Sequence, residues 1–134
     1  MARMKKNKVD EKLLTETELE LIQILWKLEE GSVNDVLEML PKERDLAYTS
    51  VSTILRILEQ KKILKSRKEG RGHIYQPLIS KNEYEEKTVK YMVGKVFDGA
   101  PMALAKQLLQ SETLTATDLK ELKELIKNAE KGQE

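Results

Sequence analysis

The spacing of apolar residues changes once along the chain, near residue 60, and this change constrains the fold more than any other feature. Before it, apolar residues recur three and four positions apart in three successive stretches, the spacing of amphipathic helices. After it, apolar and polar residues alternate through residues 63–77 around a turn that contains Gly70 and Gly72, which is typical of a β-hairpin. The pattern therefore predicts three short helices followed by one hairpin.

Hydroxyl residues mark where the predicted helices begin. Thr15 is followed three positions later by Glu18, the spacing of a capping box in which hydroxyl and carboxylate satisfy opposite backbone amides. Ser32 and Asp35 repeat this spacing at the second helix. Gly31 lies between the two helices, and glycine readily follows the end of a helix. These signals predict that the first helix starts after residue 15 and the second after residue 32.

The third predicted helix, between residues 48 and 60, has two different faces. Its apolar face carries Val51, Ile54, Leu55 and Leu58, and its polar face carries Thr49, Ser52, Thr53 and Arg56. Three helices followed by a hairpin with a basic tip is the order of a winged helix-turn-helix, in which the tip is the wing. We predict that this unit spans residues 14–79 and follows a flexible basic N-terminal arm at residues 1–13.

Residues 80–130 predict three more helices, too few to form a self-sufficient core. Their surplus of leucine, methionine and valine indicates burial against a partner, most simply a second copy of the chain. The predicted fold class is therefore mostly α with a small β-hairpin wing: a winged helix-turn-helix, then a three-helix dimerisation region and a tail at residues 131–134. The candidate dimerisation residues are Tyr84, Tyr91, Met92, Leu104, Leu108, Leu122 and Ile126.

Charge is distributed unevenly, although the net charge of the chain is only +1. Residues 56–72 hold seven basic and two acidic side chains, whereas residues 81–134 hold nine basic and ten acidic ones. A basic third helix and hairpin would neutralise phosphates of double-stranded DNA. The uneven charge predicts that the N-terminal unit, and not the C-terminal helices, contacts DNA.

Several function classes fit the composition poorly. The chain has no cysteine and one histidine, His73, which excludes disulfides, thiolate metal sites and cysteine catalysis. We expect no metal, no cofactor and no enzymatic activity. The sequence shows no nucleophile paired with a general base, no phosphate-binding loop and no metal-binding cluster. No apolar run approaches the roughly 20 residues of a membrane-spanning helix, so we expect a cytoplasmic protein without membrane insertion.

Each candidate also has a plainer interpretation. The hydroxyl face of the third helix could be ordinary solvated surface, and the basic hairpin beside it is what favours DNA. His73 is interpreted as a strand residue, and Trp26, Met92 and Met102 as core residues, because they lie in helical stripes. A second function also stays open, a winged-helix module that binds a protein and whose basic face serves solubility.

Several segments together resemble the penicillinase repressor family, of the BlaI, MecI and CopY type, over about residues 13–128. They are Leu-Ala-Tyr-Thr-Ser-Val-Ser-Thr-Ile-Leu at residues 46–55, Lys-Ile-Leu-Lys-Ser-Arg-Lys-Glu-Gly-Arg at residues 62–71, Leu-Thr-Glu-Thr-Glu-Leu-Glu at residues 14–20, and Phe97-Asp98-Gly99. The resemblance implies a bacterial homodimeric repressor that binds a palindromic operator. It places DNA contacts on Tyr48, Thr49, Ser52, Thr53 and Arg56 of the third helix, on Arg67 and Arg71 of the wing, and on Thr15 and Ser32 at helix amino ends.

The chain departs from the family pattern at three places. In β-lactam-responsive members, a membrane sensor triggers a cut in the fifth helix, at a bond that matches Gln107-Leu108 here but is Asn-Phe there. The resemblance thus implies either a signalling protease as partner or another inducer. Copper-responsive relatives use C-terminal cysteines, so copper sensing of that kind is excluded. Lys62 stands where members usually carry glycine, which predicts a strained turn before the wing.

Overall fold

A computed structural model describes residues 13–133, and all but the last residue of the predicted N-terminal arm lies outside them. The described residues form α1 (Glu16–Leu28), α2 (Val33–Met39), α3 (Tyr48–Gln60), β1 (Leu64–Glu69), β2 (Gly72–Pro77), α4 (Lys81–Lys95), α5 (Pro101–Gln110) and α6 (Ala116–Gln133). This order confirms the predicted fold class, in which helices predominate and one antiparallel hairpin follows the third helix. Residues 131–133, predicted as a tail, continue α6, since no proline or helix-ending turn precedes them.

The capping boxes at α1 and α2 have the predicted geometry. The Glu18 amide donates to Thr15 Oγ1 at 3.1 Å, and the Thr15 amide donates to the Glu18 carboxylate at 2.9 Å. Ser32 and Asp35 form the same reciprocal pair at 2.9 and 3.1 Å. Each box satisfies two backbone amides that a helix start otherwise leaves without a partner.

The first three helices and the hairpin enclose one core. Its buried side chains are Leu21, Ile22, Ile24, Leu25, Val33, Val36, Val51, Leu55, Leu58, Leu64 and Tyr75. Trp26, interpreted from sequence as core, is half-buried against this cluster and donates its indole N–H to the Ile79 carbonyl at 2.9 Å. The apolar stripes of the sequence therefore correspond to the packed faces of α1, α2 and α3.

Gly31 also joins the hairpin to the helices. Its amide donates to the Tyr75 carbonyl at 3.0 Å, and the Tyr75 amide donates back at 2.8 Å. A β-carbon on Gly31 would lie 3.2 Å from Asp35 Cβ and 3.3 Å from Leu28 Cδ1, so the space suits glycine. From the sequence, Gly31 indicates only the end of a helix, and its pairing with Tyr75 is visible only in the structure.

The described residues fall into two compact units that divide between Tyr91 and Met92, within α4. The start of α4 belongs to the first unit because Tyr84 packs there. Its ring centroid lies 5.9 Å from that of Trp26, and its hydroxyl accepts the Leu14 amide at 3.0 Å. The domain boundary at residues 79 and 80 stays a prediction, since compactness alone does not define a functional domain.

The helices of the second unit have no core. No residue of α4, α5 or α6 is buried within the described part of the chain. Met102, interpreted from sequence as a core residue, is 66% exposed. That interpretation was wrong because a helical apolar stripe does not specify whether its partner lies in the same chain.

The turn from α3 to β1 is a Schellman motif without glycine. The Lys62 amide donates to the Glu59 carbonyl at 3.0 Å, and the Ile63 amide donates to the Leu58 carbonyl at 2.9 Å. Lys62 has φ of 67°, in the left-handed region that a β-carbon disfavours. This is the conformation in which a residue other than glycine is expected to be strained.

We expect Lys62→Gly to stabilise the protein by about 0.5–1 kcal/mol, because the strain relieved exceeds the added entropy of glycine in the unfolded chain. Urea unfolding at neutral pH measures the change. Lys62→Ala is the matched control: it removes the same charge but keeps the β-carbon, so it should give no gain. Equal stabilisation by both variants would attribute the effect to the lysine charge.

Glu18 connects the start of α1 to the end of α3. The residue is 6% exposed, and its carboxylate accepts a hydrogen bond from the Lys61 ammonium at 2.7 Å. Burial alone would raise the pKa of this carboxyl, but the hydrogen bonds from Lys61 and Thr15 outweigh burial and lower the pKa below its ordinary value of 4.5. The ionised carboxylate therefore stabilises the fold at neutral pH.

We expect Lys61→Met to lower the free energy of unfolding by about 2 kcal/mol at pH 7, because a buried carboxylate loses its main donor. Because the pKa of Glu18 is lower in the folded than in the unfolded state, its carboxylate stabilises the fold at a pH above the unfolded-state pKa. This stabilisation is lost as the pH falls through the folded-state pKa. The deficit of the variant should therefore shrink as the pH falls below about 4.5. Urea unfolding across a range of pH measures the change. Lys65→Met is the control, since Lys65 is an exposed lysine of β1. A deficit independent of pH would contradict this role of Glu18.

Candidate nucleic-acid interface

The outer face of α3 presents the residues predicted to contact DNA. Tyr48, Thr49, Thr53 and Arg56 are exposed, and Ser52 is half-exposed between them. The opposite face is buried through Val51, Leu55 and Leu58. Because these buried side chains fix the rotation of the helix about its axis, the hydroxyls and the guanidinium point away from the core together.

Arg44 holds the connection that leads into α3. Its Nε lies 2.9–3.0 Å from both carboxylate oxygens of Glu20, and its Nη2 donates to Thr17 Oγ1 at 3.3 Å. This contact ties the link between α2 and α3 to α1. In the sequence, residues 41–47 are a polar connection, and the arginine within this short link is the available signal for the contact.

The hairpin forms the predicted wing, and a side-chain contact joins it to α3. Residues 64–69 pair with residues 72–77 around a turn in which Gly70 has φ of 62°. Arg71 is exposed at this tip. At the base of the hairpin, Ser66 Oγ donates to Glu59 of α3 at 2.7 Å. The wing is thus held next to the exposed face of the third helix.

Tyr75 lies under this surface, whereas His73 lies on it. Burial raises the pKa of Tyr75, and the Glu59 carboxylate adds to that effect, so the phenol stays neutral. His73 is exposed in β2, which confirms its interpretation as a strand residue. Within residues 13–133, no three histidine, aspartate or glutamate side chains are grouped so as to hold a metal ion.

Arg67, predicted as a wing contact to DNA, is paired within the chain. Its Nη1 and Nη2 each donate at 2.9 Å to one oxygen of the Glu30 carboxylate, and its Nε lies 3.4 Å from Glu69. Hydrogen bonding from Arg67 lowers the pKa of Glu30, and the same contact raises the pKa of Arg67. Both groups are therefore charged at neutral pH.

Thr15 and Ser32, predicted as phosphate contacts, are engaged in their capping boxes. Each hydroxyl accepts a backbone amide of its own helix, and a carboxylate from Glu18 or Asp35 lies at the same helix end. A carboxylate at a helix start occupies the position that an anion would take. By contrast, α3 has no side-chain cap at Ala47 and no acidic residue in its first turn.

The candidate dimerisation residues differ in exposure. Leu108 and Ile126 are 43% and 50% exposed, whereas Tyr91, Met92, Leu104 and Leu122 are half-buried. Tyr84 is engaged within its own unit through Trp26 and Leu14. Other exposed apolar side chains of residues 92–133 are Val96, Met102, Leu109, Leu119 and Leu125. None of these five was a predicted dimerisation residue, because nothing in a helical stripe separates a core from an interface.

The bond between Gln107 and Leu108 lies in the last turn of α5. The Gln107 carbonyl accepts a hydrogen bond from the Ser111 amide at 2.9 Å, and the side chains of Gln107 and Leu108 are exposed. Because proteases bind extended backbone, a cut here requires the end of α5 to unwind first.

None of the helices described is long and apolar enough to cross a membrane.

Comparisons with known proteins find a family model and relatives whose sequences match most of this chain. The family model described as Penicillinase repressor matches residues 14–128. The methicillin resistance regulatory protein MecI of Mammaliicoccus sciuri is 23% identical over 113 residues, which are 84% of this chain and 92% of that protein. The penicillinase repressor of Bacillus licheniformis is 26% identical over 113 residues, which are 84% of this chain and 88% of that protein.

One solved structure among those similar is the solution structure of the DNA binding domain of the repressor BlaI. It is 31% identical, has a TM-score of 0.49, and covers 60% of this chain and 94% of that chain. The family model, in turn, spans both compact units of the chain described above. Because that match extends from the start of α1 through most of α6, this protein belongs to the penicillinase repressor family.

Proposed function

We propose that this protein is a homodimeric transcriptional repressor that binds a palindromic DNA operator through α3 and the wing. The observation that carries the proposal is the outer face of α3. There, short hydroxyl side chains and Arg56 stand exposed beside a basic hairpin. Hydroxyls and a guanidinium are suited to contact base edges and phosphates in a major groove. Family membership supports repression as the outcome of that binding.

Dimer formation in this proposal follows from the missing core of the second unit. Helices α5 and α6 bury no residue, yet they expose Met102, Leu108, Leu109, Leu125 and Ile126. An exposed apolar surface on this scale favours association. A twofold partner of the same chain is the simplest one, because it would cover the same surface on both copies.

A palindrome follows from the twofold symmetry. Two recognition helices related by a twofold axis contact half-sites separated by one DNA turn, about 34 Å, or by a multiple of it. For release of DNA, the proposal requires a signal that separates the two copies. A cut at Gln107-Leu108 and an inducer that loosens the dimer are its two forms, and both act on the second unit.

The first test compares the full chain with residues 1–91 in gel shifts on the promoter region upstream of its own gene. Residues 1–91 keep Tyr84, which completes the first unit. We expect tight binding by the full chain that falls steeply with salt, and at least tenfold weaker binding by the fragment. Failure of both to prefer this DNA to random duplex would contradict the proposal and favour a protein partner for the winged helix.

Substitution of Arg56 tests the face of α3. We expect Arg56→Ala to weaken specific binding by about 1–3 kcal/mol, with unchanged thermal unfolding because the side chain is exposed. Arg56→Lys separates two roles in the same gel shift. It should restore a phosphate contact but not a bidentate contact to guanine. Unchanged affinity of Arg56→Ala would show that another face contacts DNA.

A further inference from the structure

Arg67 in the wing forms an ion pair with a carboxylate of the same chain. Two parallel hydrogen bonds of 2.9 Å join its guanidinium to the Glu30 carboxylate. The side chains of Arg67 and Glu30 are 49% and 42% exposed, so solvent ions reach the pair. No burial in the core forces these two groups together.

The backbone keeps the two partners close. Glu30 directly precedes Gly31, which pairs with Tyr75 of β2, and Arg67 lies on β1, where it pairs with Ile74 of the same hairpin. Because these segments are already joined, the ion pair forms without ordering a flexible part of the chain. The Glu30 carboxylate therefore lies within hydrogen-bonding distance of Arg67 in the free protein.

Carboxylate and phosphate bind the same donors of a guanidinium. Both accept two parallel N–H bonds from arginine, and a donor occupied by one is not available to the other. We propose that Glu30 is an internal competitor of DNA phosphate for Arg67, which lowers the affinity of the wing for DNA. This inference rests on the proposed DNA-binding function and adds a residue that opposes it.

The proposal has two electrostatic consequences. In the free protein, Glu30 neutralises Arg67, so the wing attracts DNA less than its basic residues suggest. In the bound protein, a phosphate contact by the same donors of Arg67 requires that the two hydrogen bonds to Glu30 break, which costs part of the binding free energy. Removal of this one charge should therefore strengthen binding and increase the number of phosphates neutralised.

The test measures binding of the full chain to a random-sequence DNA duplex across a salt series, because a phosphate contact needs no operator. We expect Glu30→Gln to raise affinity about three- to fivefold. We also expect the slope of log affinity against log salt to steepen by about 0.9, the value for one further phosphate. In an Arg67→Ala background, the same substitution should lose this gain.

Glu29→Gln is the matched control, since it removes the same charge one residue away. Its effect should be the same with Arg67 or Ala at position 67, whereas the effect of Glu30→Gln should depend on Arg67. Weaker binding by Glu30→Gln, or a gain independent of Arg67, would overturn the inference while the wild-type protein still binds DNA. Absence of wild-type binding to any duplex would instead overturn the proposed function, and this inference with it.

Discussion

The backbone pairing of Gly31 with Tyr75 is the interaction on which the candidate interface depends. A two-stranded hairpin is marginally stable by itself in water. Here two hydrogen bonds, at 3.0 and 2.8 Å, attach it to the segment between α1 and α2. They also place the Tyr75 side chain in the core, where it is 3% exposed. Together with the hydrogen bond from Ser66 to Glu59, this attachment fixes the position of the wing relative to α3.

The same contacts that fix the wing also reduce its positive charge. Glu59 of α3 accepts a hydrogen bond from the Ser66 hydroxyl, and Glu30 accepts one from the Arg67 guanidinium. Each of these contacts places a carboxylate at the candidate interface. The contacts that position the wing thus also add negative charge to it. The exposed hydroxyl face of α3 has no such conflict, because its orientation comes from the buried side chains behind it.

The two units obtain their stability in different ways. The first unit encloses side chains such as Leu21, Leu25 and Leu55 completely, so burial of apolar surface holds it together. The helices α5 and α6 enclose none, and their apolar residues remain half-buried or exposed. In the proposed dimer, the apolar surface of the second unit is what the partner copy would cover.

Much of the fold was predictable from local rules. The spacing of apolar residues predicted α1, α2, α3 and the hairpin, and the capping boxes predicted the starts of α1 and α2, because helix periodicity and capping act within a few residues. The resemblance to known repressors placed the candidate contacts on α3 and the wing. The resemblance also marked Lys62 as a position where members usually carry glycine, and the structure shows the left-handed φ of 67° that glycine adopts most readily.

Contacts between distant residues were decided only by the tertiary structure. The sequence determined that Arg67 is a basic residue of the wing, but the pairing with Glu30, 37 positions earlier, exists because Gly31 and Tyr75 bring two segments together. It likewise determined the apolar stripe around Met102, but not that this stripe is exposed. Periodicity reports which side of a helix is apolar, whereas the partner of that side depends on how the whole chain, or a second chain, packs against it.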